Sequence, residues 1–250
     1  MNNYKLTIQY DGGRYKGWQR LGDSDNTVQG KIEKAVSVLT GEEIEIIGSS
    51  RTDAGVHALM QVANFRTNQE LSEARVMSFL NHYLPPDISI TRVEIVDERF
   101  HARFQATDKT YLYKIWNREY SHPFMRKYSM HVVKPLDIHR MRQAAAHFIG
   151  EHDFTAYANA KSKKKDSVRT IYTLDIQEKD GFIEFRVQGN GFLYNMVRKM
   201  VGTLIAVGLG EKSADDVPAI ILSKERLQTG GMAEAEGLYL EEISFEPRGE

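Results

Sequence analysis

Cysteine is absent from the 250-residue sequence, which excludes disulfides, thiolate nucleophiles and cysteine-ligated zinc. Long apolar stretches are also missing, because the longest runs fall far short of the ~18 residues that a membrane helix needs. Residues 1–10 contain no apolar signal core. These absences predict a cytoplasmic protein without a membrane segment, and the 41% hydrophobic and 27% charged residues are typical of a globular domain.

A surplus of basic charge is missing as well. The 33 Lys and Arg residues are balanced by 34 Asp and Glu residues, and the formal net charge is −1. A protein of this charge binds nucleic acid only if its basic residues are gathered on one surface.

Several sequence signatures of nucleotide, acyl-transfer and metal chemistry are absent or incomplete. Residues 210–213, Gly-Glu-Lys-Ser, only resemble the end of a phosphate-binding loop, and Ile205 stands where that loop requires glycine. There is no Gly-x-Ser-x-Gly elbow. No His-Glu-x-x-His pair occurs, and the histidines that could bind a metal are widely spaced: His57, His82, His101 and His122. We therefore expect no metal site.

The hydrophobic pattern predicts an α+β fold. Period-2 alternation indicates strands at residues 4–10, 44–47, 61–65, 88–96, 110–117, 171–177, 182–188 and 238–245. Helical spacing indicates helices at residues 28–39, 72–83, 138–149 and 192–207. Strands and crossing helices occur in both halves of the chain. We therefore predict a central mixed sheet flanked by helices, built from an N-terminal half, 1–105, and a C-terminal half, 106–250, that share one continuous sheet.

The segment with the most chemical content is residues 48–58, Gly-Ser-Ser-Arg-Thr-Asp-Ala-Gly-Val-His-Ala. It is a predicted loop between two strands, and Asp53 is its one carboxylate. Small neighbours allow a bulky substrate to approach the backbone, and Arg51 favours the ionised form that a nucleophile requires. The alternative is a turn in which Asp53 only binds local amides, and the residues alone favour that alternative.

A family resemblance changes this balance. Residues 51–58 resemble the catalytic signature of the tRNA pseudouridine synthase A (TruA) family. Four further segments resemble the family in the same order along the chain: Tyr-Asp-Gly at 10–12 with Gly-Trp-Gln at 17–19 and Thr-Val-Gln-Gly at 27–30, Phe-His-Ala-Arg-Phe at 100–104, residues 191–202, and Glu-Gly-Leu-Tyr-Leu at 236–240. Ser50 and Met60 depart from the glycines that are usual in the family.

The resemblance implies an enzyme that converts uridine to pseudouridine at positions 38–40 of the tRNA anticodon arm, without a cofactor. It implies two ferredoxin-like halves and a homodimer. Asp53 is then the nucleophile, Tyr111 stacks on the target uracil and is a candidate for proton transfer, and Arg198 pairs with Asp53. Arg51 helps to hold the RNA and the flipped base apart, and the matched motifs extend substrate binding to His57, His101 and Arg103.

Two basic segments are candidates for RNA contact. Arg14, Trp18 and Arg20 interleave charge and aromatic rings in a glycine-rich loop, which suits phosphates and splayed bases. Lys163, Lys164 and Lys165 belong to a basic run whose alternative role is a solvated surface.

Two other functions remain open from the residues. One is a non-catalytic RNA-binding protein, which would need the basic loops but not Asp53. The other is a glycosidic hydrolase, which would need a second acid near Asp53. The carboxylates Glu42, Glu43 and Glu45 alternate on a predicted strand and look solvated.

Overall fold

The computed structural model describes residues 1–22, 24–159 and 166–246. The predicted RNA contacts Lys163, Lys164 and Lys165 lie outside the described residues. Across the described ranges, no helix is long and apolar enough to cross a bilayer. In the same part of the chain, no cluster of His, Asp or Glu could hold a metal ion. The chain divides into two compact units, Met1–Thr107 with Leu240–Glu250, and Asp108–Tyr239.

The described residues confirm the α+β class. The helices are α1 (Val28–Thr40), α2 (Glu73–Tyr83), α3 (Ile138–Ala146), α4 (Met196–Gly208) and α5 (Asp216–Ser223). The strands are β1 (Asn2–Tyr10), β2 (Ile47–Gly48), β3 (His57–Thr67), β4 (Ile88–Val96), β5 (Asp108–Trp116), β6 (Met130–His131), β7 (Gly150–Asp153), β8 (Val168–Lys179), β9 (Phe182–Gly189) and β10 (Leu238–Ser244).

In the first unit, β1 lies between β4 and β3 in antiparallel pairing, β10 follows β3, and β2 pairs with β3 outside that order. Leu6 sits opposite both Ala63 and Val93, and all three side chains are buried. Helix α1 is capped by Thr27, whose hydroxyl accepts a hydrogen bond of 3.2 Å from the Gly30 amide. Its apolar side is buried along the length of the helix.

In the second unit, the strand order is β5-β9-β8-β7 with antiparallel neighbours, and β6 runs parallel to β5, so the pairing is mixed. The β8–β9 hairpin turns through Asp180 and Gly181, both with positive φ, as the Asp-Gly pair indicates. Helix α4 is buried along most of its length, since Met200 and Leu204 are almost inaccessible. Helix α3 packs on α4 and on β8.

Several element boundaries differ from the sequence predictions, among them the following four. Of residues 44–47, only Ile47 is in a strand. Strand β3 starts at His57 and so shortens the predicted loop. Helix α3 ends at Ala146, and Gly150 begins β7. Helix α4 begins only at Met196, because the preceding residue, Asn195, has left-handed backbone angles that a helix cannot continue through.

Candidate active site

The loop that contains Asp53 connects β2 to β3 and is held through its neighbour Thr52. The hydroxyls of Thr52 and Tyr10 share a buried hydrogen bond of 2.7 Å. The Thr52 carbonyl accepts a bond of 3.1 Å from the Trp18 amide. Because Thr52 is bonded through both its side chain and its backbone, the position of the next residue, Asp53, is restricted to a small range.

Two glycines allow the glycine-rich loop to lie directly against this segment. A Cβ atom on Gly17 would lie 2.8 Å from the Thr52 carbonyl oxygen and 3.2 Å from the Asp53 carbonyl carbon, and Gly17 has φ of +101°. A Cβ atom on Gly12 would lie 1.9 Å from the Val56 carbonyl oxygen. These contacts join backbone to backbone, so any side chain at either position would displace the loop.

The start of the loop is fixed by a buried glutamine. The side-chain amide of Gln61 on β3 donates a bond of 2.8 Å to the Ser50 carbonyl, and its oxygen accepts one of 3.2 Å from the Ser50 amide. Gln61 is 0% exposed, so these two bonds hold the start of the loop from inside the protein. Ser50, which differs from the usual family residue, is buried and satisfied through its backbone.

The side chain of Asp53 is half-buried, and Arg51 beside it is exposed. A tight turn follows, in which the Val56 amide donates a bond of 3.2 Å to the Asp53 carbonyl and Gly55 has φ of +81°. Partial burial lowers the pKa of Arg51, and the positive charge of Arg103 lowers it further. Two guanidinium groups of like charge therefore lie within electrostatic range of each other, and one of them, Arg51, belongs to the Asp53 loop.

The rings of two predicted RNA contacts, Trp18 and His57, are buried, and their contact with RNA stays a prediction. Trp18 is 1% exposed and packs on the backbone of Gly48, where an added Cβ would lie 2.4 Å from its Nε1 atom. His57 is 2% exposed, and its Nδ1 atom lies 3.1 Å from the amide nitrogen of Gly12 and 3.0 Å from Oδ1 of Asp11. The neutral ring accepts from Gly12, whereas a ring protonated at Nδ1 donates to Asp11. Both rings shape the loops around Asp53.

The arginines of the glycine-rich loop already have acidic partners. Arg14 forms an ion pair with Asp87, and Nη1 of Arg20 lies 3.3 Å from a carboxylate oxygen of Glu33. Both guanidiniums are more than half exposed. Their contact with RNA stays a prediction, and each would meet phosphate as part of an ion pair.

Tyr111 and Arg198 belong to the second unit. Tyr111 lies on β5, is 7% exposed, and meets the ring of Phe192 edge-on at 5.1 Å between centroids. Nε of Arg198 on α4 donates a bond of 2.7 Å to the Ala233 carbonyl, and the Ala233 amide donates one of 3.1 Å back to the Arg198 carbonyl. These reciprocal bonds fasten the segment before β10 to α4.

A pair of carboxylates that the sequence did not single out lies near Arg198. Burial raises the pKa of Glu234, the nearby charge of Glu236 raises it further, and Arg198 opposes both effects. The Tyr113 hydroxyl donates a bond of 2.8 Å to the Glu234 carbonyl. The sequence signal for this cluster is slight, since Glu236 stands out only within the last family motif.

The fold is of the α+β class, and the loop around Asp53 presents a half-buried carboxylate two residues after an exposed arginine. Residues 6–105 and 144–246 match the model of a family described as tRNA pseudouridine synthase. The chain belongs to this family. It is an isomerase that converts uridine to pseudouridine in tRNA.

Similar proteins cover nearly the whole chain. It is 62% identical over 245 residues to "tRNA pseudouridine synthase A 2" of Bacillus cereus strain ZK / E33L, which is 98% of this chain and 100% of that one. It is 47% identical over the same shares to "tRNA pseudouridine synthase A" of Acetivibrio thermocellus. A solved Cbf5-Nop10-Gar1 complex shows only a weak likeness, with 13% identity and a TM-score of 0.35 over 81% of this chain and 45% of that one. The assignment therefore depends on the sequence relatives.

Proposed function

We propose that this isomerase acts on uridines 38–40 of the tRNA anticodon arm, with Asp53 as its catalytic carboxylate, as a cytoplasmic homodimer without a cofactor. The observation that carries the role of Asp53 is the loop itself. Thr52 is bonded through side chain and backbone, and Gly17 lies against its carbonyl. A loop held this firmly presents the Asp53 carboxylate in one place. A reacting group requires such fixed positioning, whereas a residue that only completes a turn does not.

The reaction breaks the glycosidic C–N bond, turns the uracil and joins its carbon to the same sugar carbon. It transfers no group and no electrons to another molecule, so the residues need only stabilise the sugar, hold the freed base and move protons. An ionised Asp53 can attack or stabilise the sugar carbon, or remove the proton beside it. Arg51 supports the ionised form and faces the RNA.

The target uridine must leave its stack before any side chain can reach it. We propose that Tyr111 stacks on the flipped uracil and takes part in proton transfer. Its ring is held edge-on against Phe192, so the stacking surface has a fixed orientation. We propose that Arg198 pairs with Asp53, as the family resemblance implies, and its bond to the Ala233 carbonyl keeps the guanidinium in one orientation.

Base-resolved mapping tests this function. Unmodified tRNA transcripts are incubated with the wild-type protein and with Asp53→Asn, and each pseudouridine is located along the RNA. We expect wild-type protein to modify positions 38–40 and the variant to modify none. Modification at other positions only would overturn the anticodon-arm assignment. Release of free uracil by the wild-type protein would show that the chain is a glycosidic hydrolase.

Sedimentation tests the homodimer. We expect twice the chain mass of 28.6 kDa at the concentration at which the enzyme is assayed. A fully active species of one chain mass would overturn the dimer and leave the reaction untouched.

A further inference from the structure

The turn formed by residues 100–105, here the aromatic turn, displays a large apolar ring to solvent. Phe104 is 78% exposed. One face of its ring stacks on His101, with 4.1 Å between centroids and 27° between planes. A phenylalanine backed by a second ring on one side and open on the other is the arrangement by which proteins bind an unpaired base.

The aromatic turn is ordered before any ligand arrives. Nδ1 of His101 accepts bonds of 3.2 Å and 3.3 Å from the amides of Arg103 and Phe104. The Ala102 amide donates a bond of 2.9 Å to the side chain of Asn64, which is 0% exposed. The exposed ring is therefore held by a buried anchor, and binding to it costs little ordering entropy.

The charge beside the ring matches a nucleotide. Arg103 is exposed and lies close enough to Arg51 for its charge to lower the pKa of Arg51. Among the described residues, neither guanidinium has a carboxylate partner within 4.0 Å. Two arginines without acidic partners next to an open aromatic ring offer one site for a phosphate and one for a base.

We infer that Phe104, backed by His101, stacks on an unpaired base of the bound tRNA while Arg103 contacts the adjoining phosphate. We assign this base to a neighbour of the target uridine, because the charge of Arg103 reaches Arg51, which lies two residues before Asp53. This inference rests on the proposed function and adds to it a positioning site for the RNA beside the scissile bond.

Binding measurements with three RNAs test the inference: an unmodified tRNA transcript, its anticodon stem-loop, and a fully paired duplex of the same stem. Phe104→Ala should bind tRNA and the stem-loop about 5- to 150-fold more weakly, which is the usual range for loss of one stacked base. It should bind the duplex as the wild type does. Phe104→Trp should restore binding to within about threefold, whereas Phe104→Leu should not, because only an aromatic ring stacks.

Phe124→Ala is the matched control, since Phe124 is 85% exposed and also lies next to a histidine ring, that of His122. It should change binding less than about twofold. The inference is overturned if Phe104→Ala binds tRNA like the wild type, or if it weakens binding to the duplex as much as binding to tRNA. It is also overturned if Phe104→Leu restores binding. Sedimentation of Phe104→Ala that shows the loss of a dimer would overturn it as well, because the ring would then join two copies of the chain.

The binding result separates this inference from the proposed function. Pseudouridine at positions 38–40 with unaltered binding by Phe104→Ala would reject the Phe104 site alone. Pseudouridine elsewhere in tRNA with weakened binding by Phe104→Ala would reject the anticodon-arm assignment and leave the Phe104 site standing.

Discussion

At the scale of single residues, Asp53 is placed by the bonds of its neighbour Thr52. The hydroxyl bond to Tyr10 and the backbone bond from Trp18 both end on Thr52. A change confined to the Asp53 carboxylate therefore leaves the loop's main anchors in place, and its effect on chemistry is separable from its effect on folding.

Asp53→Asn should fold, bind tRNA and lose activity. Asparagine is nearly isosteric but cannot act as an anionic nucleophile or base, and loss of such a group costs ~10⁴-fold or more in rate. Affinity for tRNA should stay the same or rise, because one negative charge that repels phosphate is removed. The measurement is single-turnover pseudouridine formation, with tRNA binding and thermal melting on the same sample.

The control for Asp53→Asn is Glu70→Gln, which removes one exposed negative charge of the first unit and should leave the rate unchanged. A near wild-type rate in Asp53→Asn would make Asp53 a turn residue. Lost activity with a lowered melting temperature or lost binding would point to damage to the loop and count against a purely chemical role.

Tyr111→Phe should keep the fold and tRNA binding and slow turnover. The ring still meets Phe192 edge-on and still stacks on a base, whereas the hydroxyl that could relay a proton is gone. General acid–base groups contribute about 10²–10⁴-fold. Tyr120→Phe, which removes the hydroxyl of an exposed tyrosine in the same unit, is the control. Wild-type turnover in Tyr111→Phe would limit Tyr111 to stacking.

At the scale of elements, the Asp53 loop depends on a backbone contact that only glycine permits. Gly17→Ala would place a Cβ 2.8 Å from the Thr52 carbonyl oxygen at a φ that alanine disfavours. We expect a loss of about 1–3 kcal/mol in the free energy of unfolding, which is roughly 2–12 °C in melting temperature. The rate should fall as well, because Asp53 follows Thr52 directly.

The control for Gly17→Ala is Gly22→Ala, since nothing lies within 4 Å of an added Cβ there and no positive φ opposes it. It should melt within about 1 °C of the wild type and keep full activity. Equal behaviour of the two variants would show that the contact between Gly17 and Thr52 does not position the loop.

Elements with strong local signals were predictable from the sequence. Helix α1 is bounded by its cap residue Thr27 at one end and by the left-handed Gly41 at the other. Both bounds of β4 were also predicted. Helix α5 was missed because it has only eight residues and contains Pro218. The start of α4 was placed too early because Asn195 interrupts an apolar run without changing its composition.

The candidate site divides in the same way. The Asp53 loop was singled out through its resemblance to the family signature. The burial of Trp18 and His57 was not predicted, because the local sequence around an aromatic ring is the same whether the ring faces RNA or packs against the backbone of Gly48. Phe104 was quoted only as part of a motif. Its exposure depends on the anchoring of Ala102 by Asn64, a contact between residues 38 positions apart, which no local pattern contains.

At the scale of the whole molecule, the positive charge that attracts tRNA has to be concentrated on part of the surface. The chain carries 33 basic and 34 acidic residues, so attraction to tRNA must come from local groups of basic residues. We propose Arg51 with Arg103 and the lysine run as two such groups. Each phosphate contact releases counterions, and the salt dependence of binding reports how many contacts are made.

Lys163, Lys164 and Lys165 changed together to Ala should weaken tRNA binding and flatten its salt dependence. Each lost phosphate contact lowers the slope of log affinity against log salt by about 0.7–0.9, so three contacts predict a drop of roughly 2–3. The sequence of the run contains no Asn or Gln, and so we expect the loss to be equal for tRNAs of different sequence. Titrations from low to moderate salt on two tRNAs provide the measurement.

The control removes three exposed lysines from other parts of the chain, Lys34, Lys134 and Lys179, and should leave the slope as it is. An equal slope in both triple variants would make the lysine run a solvated surface, and the phosphate contacts would then have to come from the arginines beside Asp53.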